Sequence, residues 1–392
     1  MSALSRRGFL QASAALAAAG APAQSGQIIA YIGAYSDKGK GIHMFRLNPA
    51  DGRLIPWKVL TGVSNPSSLA FHPNRKFLYA VNESPNGGSV AAMAVDSATG
   101  DLKILNVVSS GGAGPAHVGA DPSGRWVFAA NYGAGSVAVI PILKDGSLGT
   151  ATDVQKISGP LGPQPAVDAP PGSFAISGHD APHAHMAETD PAGNFVLVSD
   201  LGTDRIYVFA LDKDKGTLSA AKQPFLQASP GAGPRHFDFH PNGRLVYAVT
   251  EEASTVIVLD YNAASGALTH HGQSVSSLPQ GYTGTNYPSE IHVGGEGRFL
   301  YCANRLYDSI VKFDIGADGR LRNPSHVWTR GSYPRGFGIE PTGNFLYVCH
   351  SRSDNVTSFR VDKNTGMLSF TGQWVPVGNP SKIVFLTLRP EV

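Results

Sequence analysis

The sequence predicts an all-β chain folded as a seven-bladed β-propeller of four-stranded antiparallel blades, and three observations predict it. A proline-led unit recurs along the chain, each unit carries a second hairpin signal, and helical periodicity is absent beyond the first two dozen residues. Each unit opens on a proline and meets an Asp/His-Pro-x-Gly turn seven residues later. It then continues into a strand such as Phe77-Leu78-Tyr79-Ala80-Val81-Asn82. Clear copies run from Pro66 to His72-Pro73 and from Pro115 to Asp121-Pro122-Ser123-Gly124. Asp190-Pro191-Ala192-Gly193, His240-Pro241-Asn242-Gly243, Gly295-Glu296-Gly297 and Glu340-Pro341-Thr342-Gly343 mark the later turns.

In chain order, Ser5-Arg6-Arg7-Gly8-Phe9-Leu10 has the form of a twin-arginine export motif. The apolar run Ala12 to Ala19 and the small-residue site Ala21-Pro22-Ala23 follow it. Residues 1–23 therefore read as a signal peptide whose apolar run is too short to span a bilayer. The expectation is export of the folded protein to the periplasm by the twin-arginine machinery, with residues 24–392 as one propeller domain. Ile28 to about Leu60 contains strands with no leading proline. Leading prolines then fall at 66, 115, 182, 234, 288, 334 and 380, at spacings of 49, 67, 52, 54, 46 and 46. Four strands in about 45–50 residues is the repeat of a propeller blade.

The second hairpin of a unit opens on a pair such as Ser89-Val90, Thr255-Val256 or Asn355-Val356. It turns through Asp96 to Leu102, Asp212 to Leu218, Asn262 to Leu268 or Asp362 to Leu368. The unit led by Pro380 has room for one strand only, so that strand should complete the N-terminal blade, closing the ring and removing sheet edges. The 67-residue spacing holds a proline-rich insertion at about 159–180, which reads either as a surface elaboration or as a lid over a site.

Composition narrows the functions. Hydrophobic residues at 42% and charged residues at 15% describe a globular chain with a large core and a lightly charged surface. Cys302 and Cys349 cannot build a disulfide framework or a four-cysteine zinc site, and their offset register directs them apart as free buried thiols. With 31 basic and 29 acidic residues, no broad field favours nucleic acid or an anionic membrane.

Topology gathers the polar residues. The innermost strand of a blade starts, and the second strand ends, away from the Pro-x-Gly turn, at one mouth of the central channel. Innermost-strand starts supply Ser67, His117, His183 with His185, Arg235 with His236, Ser289 with Glu290, Arg335, and Ser381 with Lys382. Second-strand ends supply Asn82 with Glu83, Asn131, Asp200, Glu251, Asn304 with Arg305, and His350. Buried charge is costly unless it is paired or used, so this convergence marks either a functional site or a girdle of ion pairs joining the blades.

Several of these residues carry a family resemblance. Pro182-His183-Ala184-His185, Gly233-Pro234-Arg235-His236, Tyr287-Pro288-Ser289-Glu290 with Asn304-Arg305, and Tyr333-Pro334-Arg335-Gly336 resemble the lactonase family of seven-bladed propellers over the whole chain from about Ile28. That family includes 6-phosphogluconolactonases and 3-carboxy-cis,cis-muconate lactonizing enzymes. The resemblance implies a small-molecule lactone substrate. It also implies an active-site set of one histidine, two arginines and one glutamate, falling on His185 or His183, Arg235, Arg305 and Glu251. The blade led by Pro182 has two extra residues before its turn, which leaves the histidine's register open.

Lactone hydrolysis needs an activated water, stabilisation of the tetrahedral oxyanion and protonation of the leaving alkoxide. Glu251 is a candidate base or acid, with a histidine as the complementary proton carrier. Arg235, Arg305 and Arg335 are candidates to clamp an anion. Asn131 and Asn304 are candidate donors to sugar hydroxyls, and His117, Asp200, His236, Glu290 and His350 complete the expected binding set. No cofactor is required. A divalent metal on His179, His183 and His185 is the weighed exception, for which no second ligand cluster is at hand. The rival readings are a lactone-forming cycloisomerase using the same groups and a non-catalytic periplasmic binding propeller.

Overall fold

A computed structural model describes residues 26–176 and 178–388. The twin-arginine motif and cleavage site expected in residues 1–23 lie outside the described residues. The chain forms seven four-stranded antiparallel sheets arranged as a propeller. Numbered along the chain, blade 1 has Pro380–Thr387 as its innermost strand. Leu69–Phe71, Pro115–Ala120, Ala184–Thr189, Pro234–Phe239, Pro288–Gly294 and Pro334–Ile339 are the innermost strands of blades 2 to 7. The ring closes as expected: Pro380–Thr387 pairs antiparallel with Ile28–Ala34, placing Ile28 opposite Thr387.

The turn between the two inner strands works by side-chain capping. Asp121 accepts the backbone N–H groups of Arg125 and Trp126, and Asp190 those of Asn194 and Phe195, at 2.7–2.8 Å. His72 and His240 use Nδ1 for the same purpose in their copies. Left-handed backbone ends the turn, which is why glycine recurs there, for example Gly124 at φ 71°. Blade 6 replaces the proline turn with one 3-10 turn, Gly295–Gly297.

The blades are bolted together by the aromatic residue of their second strands. The hydroxyls of Tyr31, Tyr247, Tyr301 and Tyr347 donate to the carbonyls of Gly100, Gly319, Gly366 and Gly52 in the next blade, at 2.5–2.9 Å. Tyr79 reaches Gly146 at 3.3 Å, and in blade 3 the Trp126 indole donates to Lys213 instead. Apolar clusters fill the interfaces between blades. Cys302 packs between blades 5 and 6 and Cys349 between blades 7 and 1, so the two thiols are buried, free and far apart in role.

The insertion lies on the mouth face. Its main chain bonds to Gly202 of blade 4, Pro230 of blade 5, and Gly284 and Thr285 ahead of blade 6. Among the described residues, no helix is long and apolar enough to cross a membrane.

Candidate functional site

Strand register decides which side chains reach the mouth. The last residue of each second strand still pairs with the first residue of the third, as in Asn131 with Ser136, Asp200 with Arg205, Asn304 with Ser309 and His350 with Asn355. The next residue leaves the ladder, and its N–H donates to a carbonyl beside the start of the innermost strand: Glu83 to Asn65, Tyr132 to Gly114, Glu251 to Gly233, Arg305 to Tyr287. That step swings its side chain over the channel.

Four expected binding residues do not take that step. Asn131, Asp200, Asn304 and His350 are all fully buried inside their blades. Asn131 donates to Ser110 and Ser136, and Asn304 to Ser277 and Ser309. Asp200 caps its own turn through the amide and hydroxyl of Thr203. His350 is bonded to the Asn355 carbonyl. These groups hold hairpins closed because the strand ladder does not release them.

The residues matched to the expected active-site set do converge. Arg235 Nε lies 2.8 Å and Arg305 Nη2 2.7 Å from the same oxygen of Glu251. The Arg235 N–H is aimed off that line, so its contact is chiefly between charges, while Nη1 donates to the Ser289 carbonyl. Arg305 is braced by the Tyr287 carbonyl and lies over the rings of Tyr287 and Tyr333. All three charged groups are more than nine-tenths buried. With two guanidinium groups on one oxygen, Glu251 is a poor acceptor for an abstracted proton and a good charge anchor.

The structure also separates the two blade 4 histidines. His183 uses both ring nitrogens, on the Tyr132 carbonyl and on Asp180, and stacks on Tyr132 with centroids 4.2 Å apart. His185 lines the channel with Arg235, His236, Glu290, Arg335 and Lys382. Burial, and then Arg235, His236, Arg335 and Arg305, hold the His185 imidazole well below its usual pKa, so it is neutral at pH 7. His117 is also held low, by burial and then by His236.

The remaining cations have partners too. Lys382 lies 2.8 Å from Glu290, and Arg335 lies 3.8 Å from Glu83. Glu83 also accepts the Tyr35 hydroxyl at 2.7 Å, and Arg335 sits over the Tyr35 ring.

Sequence reasoning missed Tyr132 and Tyr35, although Tyr132 occupies the register of Glu251 and Arg305. It also missed a buried triad. His179, carried by the insertion, bridges Asp204 and Glu252 at 2.9 Å on either side. Burial alone would lower its pKa, but the two carboxylates raise it to about 9. The amide of Gly178 donates to Glu252, and Asp204 in turn accepts the amides of Gly231 and Gly233. The insertion is thus fastened one residue from Glu251. Its Phe174 and Ile176 side chains stay exposed, and the Ile176 main chain is within hydrogen-bond reach of the Tyr287 hydroxyl.

With His179 and His183 engaged in this way, the weighed metal cluster does not assemble. No group of three or more candidate ligands among the described residues is arranged to hold a metal ion. A cleft of about 270 Å³ opens between the insertion and blade 5, lined by Asp168, Pro171, Ser276, Leu278 and Tyr282. Arg235, Glu251, Arg305, Arg335 and Lys382 do not line it.

Comparison with known proteins identifies the family. The family described as Lactonase, 7-bladed beta-propeller, matches residues 29–385. The chain is 35% identical over 360 residues to a 6-phosphogluconolactonase of Bacillus subtilis, covering 91% of this chain and 98% of that protein. It is 32% identical over 377 residues to a 6-phosphogluconolactonase of Formosa agariphila, covering 91% and 99%. Among solved structures, a periplasmic gluconolactonase of Pseudomonas aeruginosa superposes with a TM-score of 0.84 at 30% identity, covering 92% and 99%.

Proposed function

The chain belongs to the seven-bladed β-propeller lactonase family, and from that premise we propose that it is a lactone hydrolase that opens a sugar lactone at the channel mouth. The observation that carries this reading is the convergence of Arg235 and Arg305 on Glu251 beside a neutral His185. Glu251 holds two guanidinium groups in place. Those groups face the carbonyl oxygen as it gains charge, and stabilisation of that kind is worth about 10²–10³ in rate. The neutral imidazoles of the channel supply proton transfer.

We take the substrate to be an unphosphorylated aldonolactone. Each of the four channel cations, Arg235, Arg305, Arg335 and Lys382, already faces a carboxylate, an arrangement better matched to a neutral sugar ring than to a phosphate dianion. The twin-arginine leader supports a periplasmic location, where such lactones rather than sugar phosphates are met. The likeness to a periplasmic gluconolactonase supports it too.

Acid release from glucono-δ-lactone and from its 6-phosphate, with spontaneous hydrolysis subtracted, tests the reading. The wild type should turn over both, with the larger kcat/KM on the unphosphorylated lactone. A chelator should leave the rate unchanged, and Glu251→Gln should lower kcat/KM about 100-fold. Full activity in Glu251→Gln would remove the anchored arginine pair from the reaction.

A further inference from the structure

We propose that Glu290 and His236 form the dyad that activates the hydrolytic water, with His236 Nε2 as the general base. The proposal rests on the lactone-hydrolase reading and assigns the step that reading leaves open. Glu290 Oε1 lies 2.8 Å from His236 Nδ1, and both side chains are at least nine-tenths buried. A carboxylate on Nδ1 fixes the proton there and leaves Nε2 as a lone pair, the tautomer a base requires. Among the described residues, Nε2 meets no hydrogen-bond partner.

His236 is among the residues lining a channel cavity of about 20 Å³, room for a single water molecule. Arg235 lines the same cavity. One guanidinium group therefore joins the water site to the Glu251 anchor.

The other candidates fit the step less well. Glu251 already holds two guanidinium groups. A protonated His185 would stand beside Arg235, Arg335 and Arg305 with no carboxylate of its own. Protonated His236 is instead neutralised by Glu290, which Lys382 secures from the other side at 2.8 Å. Burial opposes ionisation of Glu290, but Lys382 and His236 hold it well below the usual carboxylate range. Burial outweighs the Glu290 charge at His236 and lowers its pKa to about 4, so the base is unprotonated at neutral pH.

The step balances. Water loses a proton to Nε2 as its oxygen bonds to the carbonyl carbon, and the carbonyl electron pair moves to oxygen beside Arg235. Collapse of the tetrahedral intermediate breaks the ring C–O bond, and the departing alkoxide takes the proton back from His236.

The groups that set the pH response are Glu290, Arg235, Lys382, His117 and His185, with His292 behind Glu290. In the wild type, kcat/KM should rise with pH through about 4 and then level. His236→Asn should lower kcat at pH 7 at least 100-fold, leave KM within threefold and abolish the acid limb. Glu290→Gln should move that limb to lower pH, because the carboxylate that favours the imidazolium is gone. A His236→Asn enzyme that keeps more than a third of wild-type kcat, or keeps the limb, would overturn the dyad. A second measurement does not depend on turnover. Imidazole ¹⁵N NMR at pH 7, assigned by difference from His236→Asn, should show a neutral ring protonated on Nδ1. An imidazolium or an Nε2–H ring would overturn the assignment even in an active enzyme. Absence of any lactonase turnover in the wild type would instead defeat the functional reading itself.

Discussion

At the scale of single residues, one position along a strand separates structural from functional polar groups. Asn131 and Tyr132 are neighbours, yet Asn131 is spent on Ser110 and Ser136 while Tyr132 stacks over His183 at the mouth. Asn131→Ala should accordingly cost about 2 kcal/mol of stability, by orphaning a buried carbonyl and hydroxyl. It should leave kcat within threefold. Thermal unfolding beside steady-state kinetics separates the two effects. Arg235, Glu251 and Arg305 were legible because their types and order match a recognisable motif. The asparagines looked equivalent because composition alone does not reveal where a strand releases its last residue. Tyr35 and Tyr132 escaped notice because aromatic residues recur throughout the blades as packing.

At the scale of elements, turn chemistry made the blades legible: capped Pro-x-Gly turns and alternating strands are local signals repeated almost without change. The insertion carries no such period, and its attachment through His179 to Asp204 and Glu252 depends on residues 25 and 73 positions away. Those contacts define a pH response. The His179 pKa is raised from 6.5 to about 9 in the folded protein, so its contribution to holding the insertion is complete below about 6.5 and is lost as pH rises through 9. Limited proteolysis or hydrogen exchange should therefore show residues 159–180 becoming accessible on the alkaline side. His179→Ala should make them accessible at neutral pH, at a cost of about 3 kcal/mol from two buried carboxylates left without their cation. An insertion equally protected in that variant would show that its main-chain bonds suffice.

At the scale of the whole molecule, the first and last strands of the propeller share one sheet, and blades are tied to their neighbours by apolar packing and, from every blade but blade 4, by a hydroxyl or indole bond of the same design. Removing residues from Pro380 onward would strip the innermost strand from blade 1 and expose the ladder of Ile28–Ala34 to pairing with other chains. The truncated protein should aggregate on expression and show no cooperative unfolding transition by calorimetry. A soluble, cooperative truncation would mean that six complete blades hold the ring without its closure.

The closing strand also sets a timetable. Ile28 is among the first residues of the propeller to be synthesised and Thr387 among the last, yet they lie side by side in one sheet. Blades 2 to 7 can each assemble as their own stretch emerges from the ribosome. The first blade must wait with one flank bare until the strand Pro380–Thr387 has emerged. Contacts this distant in sequence form slowly, because the whole intervening chain must be brought round before they yield any gain. Maturation of this protein is thus governed by a single late event, and a chaperone that shields the Ile28–Ala34 flank during synthesis would raise the yield more than one acting on any later blade.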